Sequence, residues 1–203
     1  MKSNTKMYLY GASGHAKVII DILKATGMEV NALFDDNPEI LNLYGKKVSG
    51  KYLGQSLEAP IIISIGDNAI RAKIANSIKT DFGTAIHPGA IISSSVQIQE
   101  GTVVMQGVVV QADTQIGKHV IVNTKASVDH DCLIGDYAHI SPGAILCGGV
   151  QVGEGTHVGA GAVVLPLVKI GKWCKIGAGA VVIKDVPDGV IAVGNPARCK
   201  PAI

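Results

Sequence analysis

The sequence predicts two folds in series: a small parallel α/β unit, then a solenoid of short parallel β-strands. Three observations carry this. Large aliphatic residues recur every six positions through the second half. Strand, turn and helix patterns alternate through the first eighty residues. Apolar residues make up 47% of the chain but aromatics only 4%, with 25 glycines, which suits Val-, Ile- and Gly-rich strands better than an aromatic-packed globule.

In chain order, "MYLYGASGHAKVIIDILKATG" reads as a strand over residues 7–10, a glycine turn, and an amphipathic helix from Gly14 to Thr26. "EVNALFDDNP" is a second strand that ends in two acids and a proline stop. "APIIISIGDNAIRAKIANSI" repeats the strand, turn and helix. Strands alternating with helices make a parallel α/β unit. Ligands of such sheets sit at the carboxyl ends of strands, which here carry Ser13-Gly14-His15, Asp35-Asp36 and Gly66-Asp67. Gly11 to Gly14 would set backbone N–H groups against a phosphate at the helix N-terminus. An ordinary strand-to-helix turn would use the same glycines. Asp35 or Asp36 would hold a ribose or a base edge, or be solvated loop acids.

From Ile86 to Val182, every sixth residue is Ile, Val or Leu, seventeen positions in register. The position four after each is Ala, Val, Thr or Cys, from Ala90 to Ala180. That position lies two before the next large aliphatic, so a small and a large side chain point inward together. Glycine often follows the aliphatic (Gly117, Gly135, Gly153, Gly159, Gly171, Gly177), where positive φ is expected to turn the chain. A short strand and a tight turn every six residues describe stacked coils about 4.8 Å apart.

Several function classes are excluded or disfavoured. A net charge of +2, without a basic run, argues against nucleic acid. No apolar stretch reaches the roughly 18 residues of a membrane helix, and the N-terminus lacks the apolar core of a signal peptide. The four cysteines show no CxxC spacing or disulfide framework. A soluble, reduced, cytoplasmic protein is expected.

With these motifs in place, the chain resembles the hexapeptide-repeat acyltransferases, a left-handed parallel β-helix family with three hexapeptides in each 18-residue coil. The left hand comes from that resemblance, because parallel crossovers otherwise favour the right. Residues 86–187 then make between five and six uninterrupted coils. GASGHAKV, FDDN and ISIGDN in the first half, with DHD…H and GNPAR in the second, resemble the sugar O- and N-acetyltransferase branch. Within it, the UDP-4-amino-sugar N-acetyltransferases come first and the sialic acid O-acetyltransferases next. The resemblance implies a Rossmann-like sugar-nucleotide domain at 1–83, a β-helix at 84–187, a closing segment at 188–203, and a homotrimer with active sites between subunits.

The resemblance also assigns roles. His130 would be the general base and Asp131 would raise its basicity, although whether the shorter Asp reaches the ring is open where relatives can carry Glu. In the 18-residue register His130 lies between Ala112 and Gly148, small neighbours that leave it reachable. His139 would lie beside the acetyl-CoA thioester, with Ala160 and Ala178 lending backbone groups to the cofactor. Ser13, Gly14, His15, Asp35, Asp36 and Gly66 would hold the nucleotide. His139, His157 and Lys175 are 18 apart and form one column, of which His157 and Lys175 would equally suit a solvated edge. Cys132 and Cys174 point into the solenoid, so transfer is expected to be direct, with no acyl-enzyme. His87 and His119 fit no functional pattern.

Acetyl-CoA is thus the expected co-substrate, with no metal. Hydroxyl acceptors such as a sialic acid would use the same base. A β-helical carbonic anhydrase would need two ligand histidines five apart, and no H-x₄-H occurs. A catalytically silent sugar-nucleotide-binding scaffold would leave His130-Asp131 unexplained, and an NAD site would answer to NAD(H) where this one is expected to answer to UDP.

Overall fold

The computed structural model describes residues 6–201. Residues 1–5 and 202–203, which fall within the first and last expected domains, lie outside them. The first unit is a parallel three-stranded sheet. Its strands are β1 (Lys6–Tyr10), β2 (Glu29–Phe34) and, after a short hairpin described below, β5 (Ile61–Ile63), in the order β2-β1-β5. Alternation along β1 divides its two faces. Met7 and Leu9 pack with helix α1 (Gly14–Ala25), while Tyr8 and Tyr10 share a cluster with Ala75 and Ile78 from helix α2 (Asn68–Ser77) and its end.

Helix α1 buries Ala16, Ile19, Ile20 and Leu23 at three- and four-residue spacing. It ends where Thr26 donates its hydroxyl back to Ile22 and Leu23 and Gly27 takes φ 74°. The N-terminus of α2 is capped by Asp67, whose carboxylate accepts the Ile70 N–H at 2.9 Å. The hairpin of β3 (Asn42–Leu43) and β4 (Lys46–Lys47), which has no counterpart in the sequence pattern, turns at Tyr44 and Gly45, both at positive φ as a tight two-residue turn requires.

The second unit is the solenoid. Seventeen two-residue strands run from β6 (Ala85–Ile86) to β22 (Val181–Val182), each paired in parallel with the strand 18 residues away. They form three faces. Face one holds β6, β9 (Val103–Val104), β12 (Ile121–Val122), β15 (His139–Ile140), β18 (His157–Val158) and β21 (Lys175–Ile176). Face two runs from β7 (Ile91–Ile92) through β13 (Ser127–Val128) to β22, and face three from β8 (Gln97–Ile98) through β14 (Leu133–Ile134) to β20 (Lys169–Ile170). The large and small inward positions fill one continuous core. Where the small residue is Thr, its hydroxyl is paired twice. Thr114, for instance, donates to Asp129 O at 2.7 Å and accepts the Cys132 N–H.

The glycine expectation is corrected. Gly117, Gly135, Gly153, Gly159, Gly171 and Gly177 are not at positive φ. The left-handed residues instead lie three after each aliphatic, from Gly101 to Gly179, and half are not glycine: Asp113, His119, Lys125, Asp131, Tyr137, Leu167 and Trp173. The glycines after the aliphatic answer to a steric demand. A Cβ on Gly153 would stand 2.5 Å from the Gly171 carbonyl carbon in the next coil, and one on Gly135 would stand 2.6 Å from Glu154 N.

Beyond β22 the chain closes the solenoid with β23 (Val190–Val193), parallel to β21, and β24 (Arg198–Pro201), antiparallel to β23. The α/β unit sits on face one. Helix α1 lies against Ala85, Val103, Met105 and Ile121 in a shared core, and Asn68 at the start of α2 donates to Gly155 O at 3.0 Å.

Candidate active site

His130 occupies the corner between faces two and three, immediately after β13. Its own N–H is taken by Asp129 Oδ1 at 2.8 Å, and its carbonyl accepts Gly149 N–H from the next coil. Asp131 sits at φ 59°, the left-handed position of the turn, with its N–H on Ala112 O. This bend answers the question of reach. His130 Nδ1 and Asp131 Oδ2 are 2.7 Å apart, so the ring donates its Nδ1–H to the carboxylate and Nε2 keeps a free lone pair. The Asp131 hydrogen bond, followed by the charge of Asp129, raises the His130 pKa above its ordinary value.

The free edge of the ring lies over Gly148, where an added Cβ would come within 2.7 Å of both Cε1 and Nε2. Pro166 and Leu167 form the apolar side of the surrounding cavity, and Cys147 lines it as well. Among the described residues, the Gly148 N–H donates to no carbonyl. The sequence reading left the oxyanion donors unnamed, and this N–H, on the residue whose Cα faces the ring edge, is a candidate.

The expected column on face one is present. Ala85, Val103 and Ile121 are buried beneath the α/β unit, His139 is half-buried at its lip, and His157 and Lys175 emerge into solvent. The His139 and His157 rings stack at 4.7 Å and 4°. Asn123 Oδ1 accepts the Thr124 N–H at 2.8 Å, which turns its amide nitrogen to His139 Nε2 at 3.0 Å. Nε2 is therefore the acceptor, and the ring proton sits on Nδ1. That Nδ1 makes no hydrogen bond, although the Gly66 backbone lies beside it. Burial, then His157, Arg71 and His15, lower the His139 pKa to about 3, so the ring is neutral, with its Nδ1–H buried where the α/β unit meets the solenoid. His157 is held by Ser141 Oγ at 2.7 Å. Asn123 and Ser141 escaped the sequence reading, since a lone amide or hydroxyl in a repeat of small residues carries no signal.

Ala160 and Ala178 form an exposed ridge on the corner after face one, tied by the Gly179 N–H to Ala160 O at 2.8 Å. Ser13 is the N-cap residue of α1, but its hydroxyl caps nothing, and Gly14 has open space where a Cβ would be. His15 is half-buried with its Nε2 unpartnered, and burial followed by the Arg71 charge lowers its pKa to about 4. Ser13, Gly14, His15 and Gly66 thus lie at the carboxyl ends of β1 and β5, and of these His15 and the Gly66 backbone come near His139.

The two acids are engaged with other partners. Asp35 spends one oxygen on Ala12 N–H at 2.7 Å and the other on Asn37 N–H at 2.8 Å, holding the glycine turn. Asp36 accepts the Tyr10 hydroxyl at 2.7 Å and borders an open pocket walled by Lys51, Tyr52 and Lys73; burial, then this hydrogen bond, raises the tyrosine pKa. Those three wall residues were also missed by the sequence reading. Buried His119 lies between Phe82 and Tyr137 and lines no ligand crevice. Among the described residues, no group of three or more His, Cys, Asp or Glu is arranged to hold a metal, and no helix is long and apolar enough to cross a membrane. One separation matters most. His130 and His139 lie on opposite sides of the three-faced solenoid, so one chain does not bring them together.

A nucleotide-type α/β unit on a β-solenoid, with a hydrogen-bonded His-Asp pair on an open corner, defines a group-transfer enzyme of the hexapeptide class. The PglD N-terminal domain family matches residues 6–78, and the bacterial transferase hexapeptide family (six repeats) matches 131–166 and 149–184. PerB from Caulobacter crescentus, solved with CoA and GDP-perosamine, is 41% identical, with 96% of this chain and 97% of that one covered at a TM-score of 0.92. The acetyltransferase domain of PglB from Neisseria gonorrhoeae, solved with acetyl coenzyme A, is 37% identical over 98% of this chain and 100% of that one, at 0.89. WeeI from Acinetobacter baumannii is 29% identical over 97% of this chain and 100% of that one, at 0.86. Among curated proteins, uncharacterized protein L142 of Acanthamoeba polyphaga mimivirus is 36% identical over 78 residues, and the match takes in 36% of this chain and 15% of that protein. This chain belongs to the hexapeptide-repeat sugar acetyltransferases, and its solenoid is a left-handed parallel β-helix.

Proposed function

We propose that this chain transfers the acetyl group of acetyl-CoA to the amine of a nucleotide-linked 4-amino sugar destined for a bacterial surface glycan. The observation that carries the reading is the Nδ1–H of His130 on Asp131, which leaves Nε2 as a free base over a glycine. The amine nitrogen attacks the thioester carbonyl while Nε2 takes its proton. The C–N bond forms, the C–S bond breaks, and the imidazolium returns the proton to the departing CoA sulfur. The Gly148 N–H stabilises the tetrahedral oxyanion. Cys132 is sealed in the core and its thiol is pushed up to about 11 by burial, which removes it as an acyl carrier, and the transfer is read as direct, with Cys147 only lining the cavity.

The α/β unit, residues 1–83, holds the acceptor. Ser13, Gly14 and His15 face the diphosphate at the uncapped α1 N-terminus, Gly66 borders the sugar, and Asp36 borders the base. Asp35 shapes the turn they share. His139 meets the thioester, and the Ala160–Ala178 ridge carries the pantetheine arm. Uridine is the base that the motif resemblance points to. Guanosine is a second reading, favoured by the PerB complex. Sialic acid O-acetylation stays within the same base chemistry, but the matched relatives with named activities act on amines. The cytoplasm is where acetyl-CoA and nucleotide sugars are both at hand.

Thiol release from acetyl-CoA tests this, with a UDP-4-amino-4,6-dideoxy sugar, GDP-perosamine and free sialic acid as acceptors. Turnover with a nucleotide amino sugar is expected, falling about 10²- to 10⁴-fold in His130→Ala. Turnover with sialic acid alone would move the acceptor class, and full activity in the variant would remove the base.

A further inference from the structure

Arg71, in α2, has the largest side chain among the fully buried residues, with 1% of its surface exposed. A guanidinium this deep normally faces a carboxylate, because removing an ion from water costs several kcal/mol. None of its hydrogen-bond partners is an acid. Nε donates to His119 O at 2.8 Å, Nη1 to Ile65 O at 3.0 Å and Gly66 O at 3.1 Å. Nη2 donates to Asn68 Oδ1 at 2.8 Å, Tyr137 O at 2.7 Å and Ala138 O at 3.4 Å. Burial brings its pKa down to about 10, which leaves it charged. The acceptors come from both units. Ile65 and Gly66 end the β5 loop of the α/β unit, while Tyr137 and Ala138 directly precede His139 on the solenoid.

We propose that Arg71 is a positioning residue for acetyl transfer, fixing the acceptor-holding loop at Gly66 against the cofactor-edge His139. The inference rests on the acetyltransferase reading above and adds to it a residue that touches neither substrate. Acceptor and donor are held by different folding units, so their separation is set by the joint between them. An apolar joint is non-directional and tolerates sliding, whereas a planar fork with fixed N–H directions does not. A misplacement of about 1 Å at a reacting centre costs about 10²-fold in rate. The guanidinium supplies the directional constraint. Its direct partners are carbonyl and amide oxygens, and the charge of Asp67, one turn earlier at the start of α2, favours its ionised form without a hydrogen bond between the two side chains. Lysine, a point charge with three donors, reproduces only part of this.

The test uses the full-length assembly with Arg71→Lys and Arg71→Met. Measured are kcat, KM for acetyl-CoA and for a nucleotide amino sugar, calorimetric affinity for UDP and GDP, and thermal unfolding. Expected is a fall in kcat of about 10- to 100-fold in the Met variant and a smaller fall in the Lys variant. Nucleotide affinity and the KM for acetyl-CoA should stay within about twofold, because each site lies wholly on one side of the joint. Wild-type kcat in either folded variant overturns the proposal. So does a loss of kcat that merely tracks the unfolded fraction or the loss of nucleotide affinity, or failure of both variants to fold, since each makes Arg71 structural only. Absence of turnover in the unaltered protein would instead sink the transferase reading.

Discussion

The base of this site is made by two consecutive residues in one six-residue turn, which ties its chemistry to backbone geometry. Asp131 occupies the left-handed position, at φ 59°, where other coils carry glycine, and that bend brings its short carboxylate to His130 Nδ1. The carboxylate favours the imidazolium, so the pKa of His130 lies above the ordinary 6.5. A general base acts only when neutral, so the rate should rise with pH through that raised pKa. In Asp131→Asn the charge is lost. The acid limb of the kcat–pH profile should then move to lower pH, and the plateau should fall by about tenfold or more as Nε2 weakens as a base. A limb that stays in place would mean that Asp131 does not tune the ring. At this scale the sequence displayed the titratable pair and the His139 column openly. It concealed Asn123, Ser141, Gly148 and Arg71, because the first two are ordinary polar residues, Gly148 would act through its own backbone N–H, and Arg71 binds mainly backbone carbonyls, which leave no mark in the sequence.

The repeating element imposes two separate demands on its small residues, and the sequence pattern alone merged them. One is conformational, at the position three after the aliphatic. The other is steric, directly after it, where the next coil's backbone stands against Cα. Two substitutions separate them. Gly143→Ala meets open space but must hold φ 66°, a strain of about 1 kcal/mol. Gly153→Ala has ordinary φ but drives a Cβ to 2.5 Å from the backbone of the coil above, which cannot yield as a flexible side chain does. Its cost should reach about 3 kcal/mol, the upper part of the overpacking range. Thermal unfolding of the two variants should rank Gly153→Ala as the worse, and the reverse order would mean that coil spacing is softer than the structure implies. Periodic elements were legible in advance: the seventeen strands, the first helix to within a residue of its end, and the second helix as a type without its bounds. The β3–β4 hairpin was not, since it occurs once, and two-residue strands become legible only where a repeat brings them back in register.

At the scale of the whole molecule, the placement of the two functional histidines argues for assembly. His139 lies on face one beside the acceptor unit, while His130 stands on the opposite corner. A second copy that presents its His130 corner to the first copy's crevice would complete the site, and a closed ring of such head-to-tail contacts is a trimer if it closes after three. Sedimentation should therefore find trimers. Chains carrying His130→Ala and chains carrying His139→Ala should each be strongly impaired alone. After unfolding and co-refolding in equal amounts, each site takes its His139 from one copy and its His130 from the next. About one site in four then receives both intact histidines, so activity should return to roughly a quarter of the unaltered level. Sites built within single chains would recover nothing on mixing, because every chain would still lack one of the two. That result would place the whole site within one chain, whereas full activity of His139→Ala by itself would return the column on face one to a solvated edge.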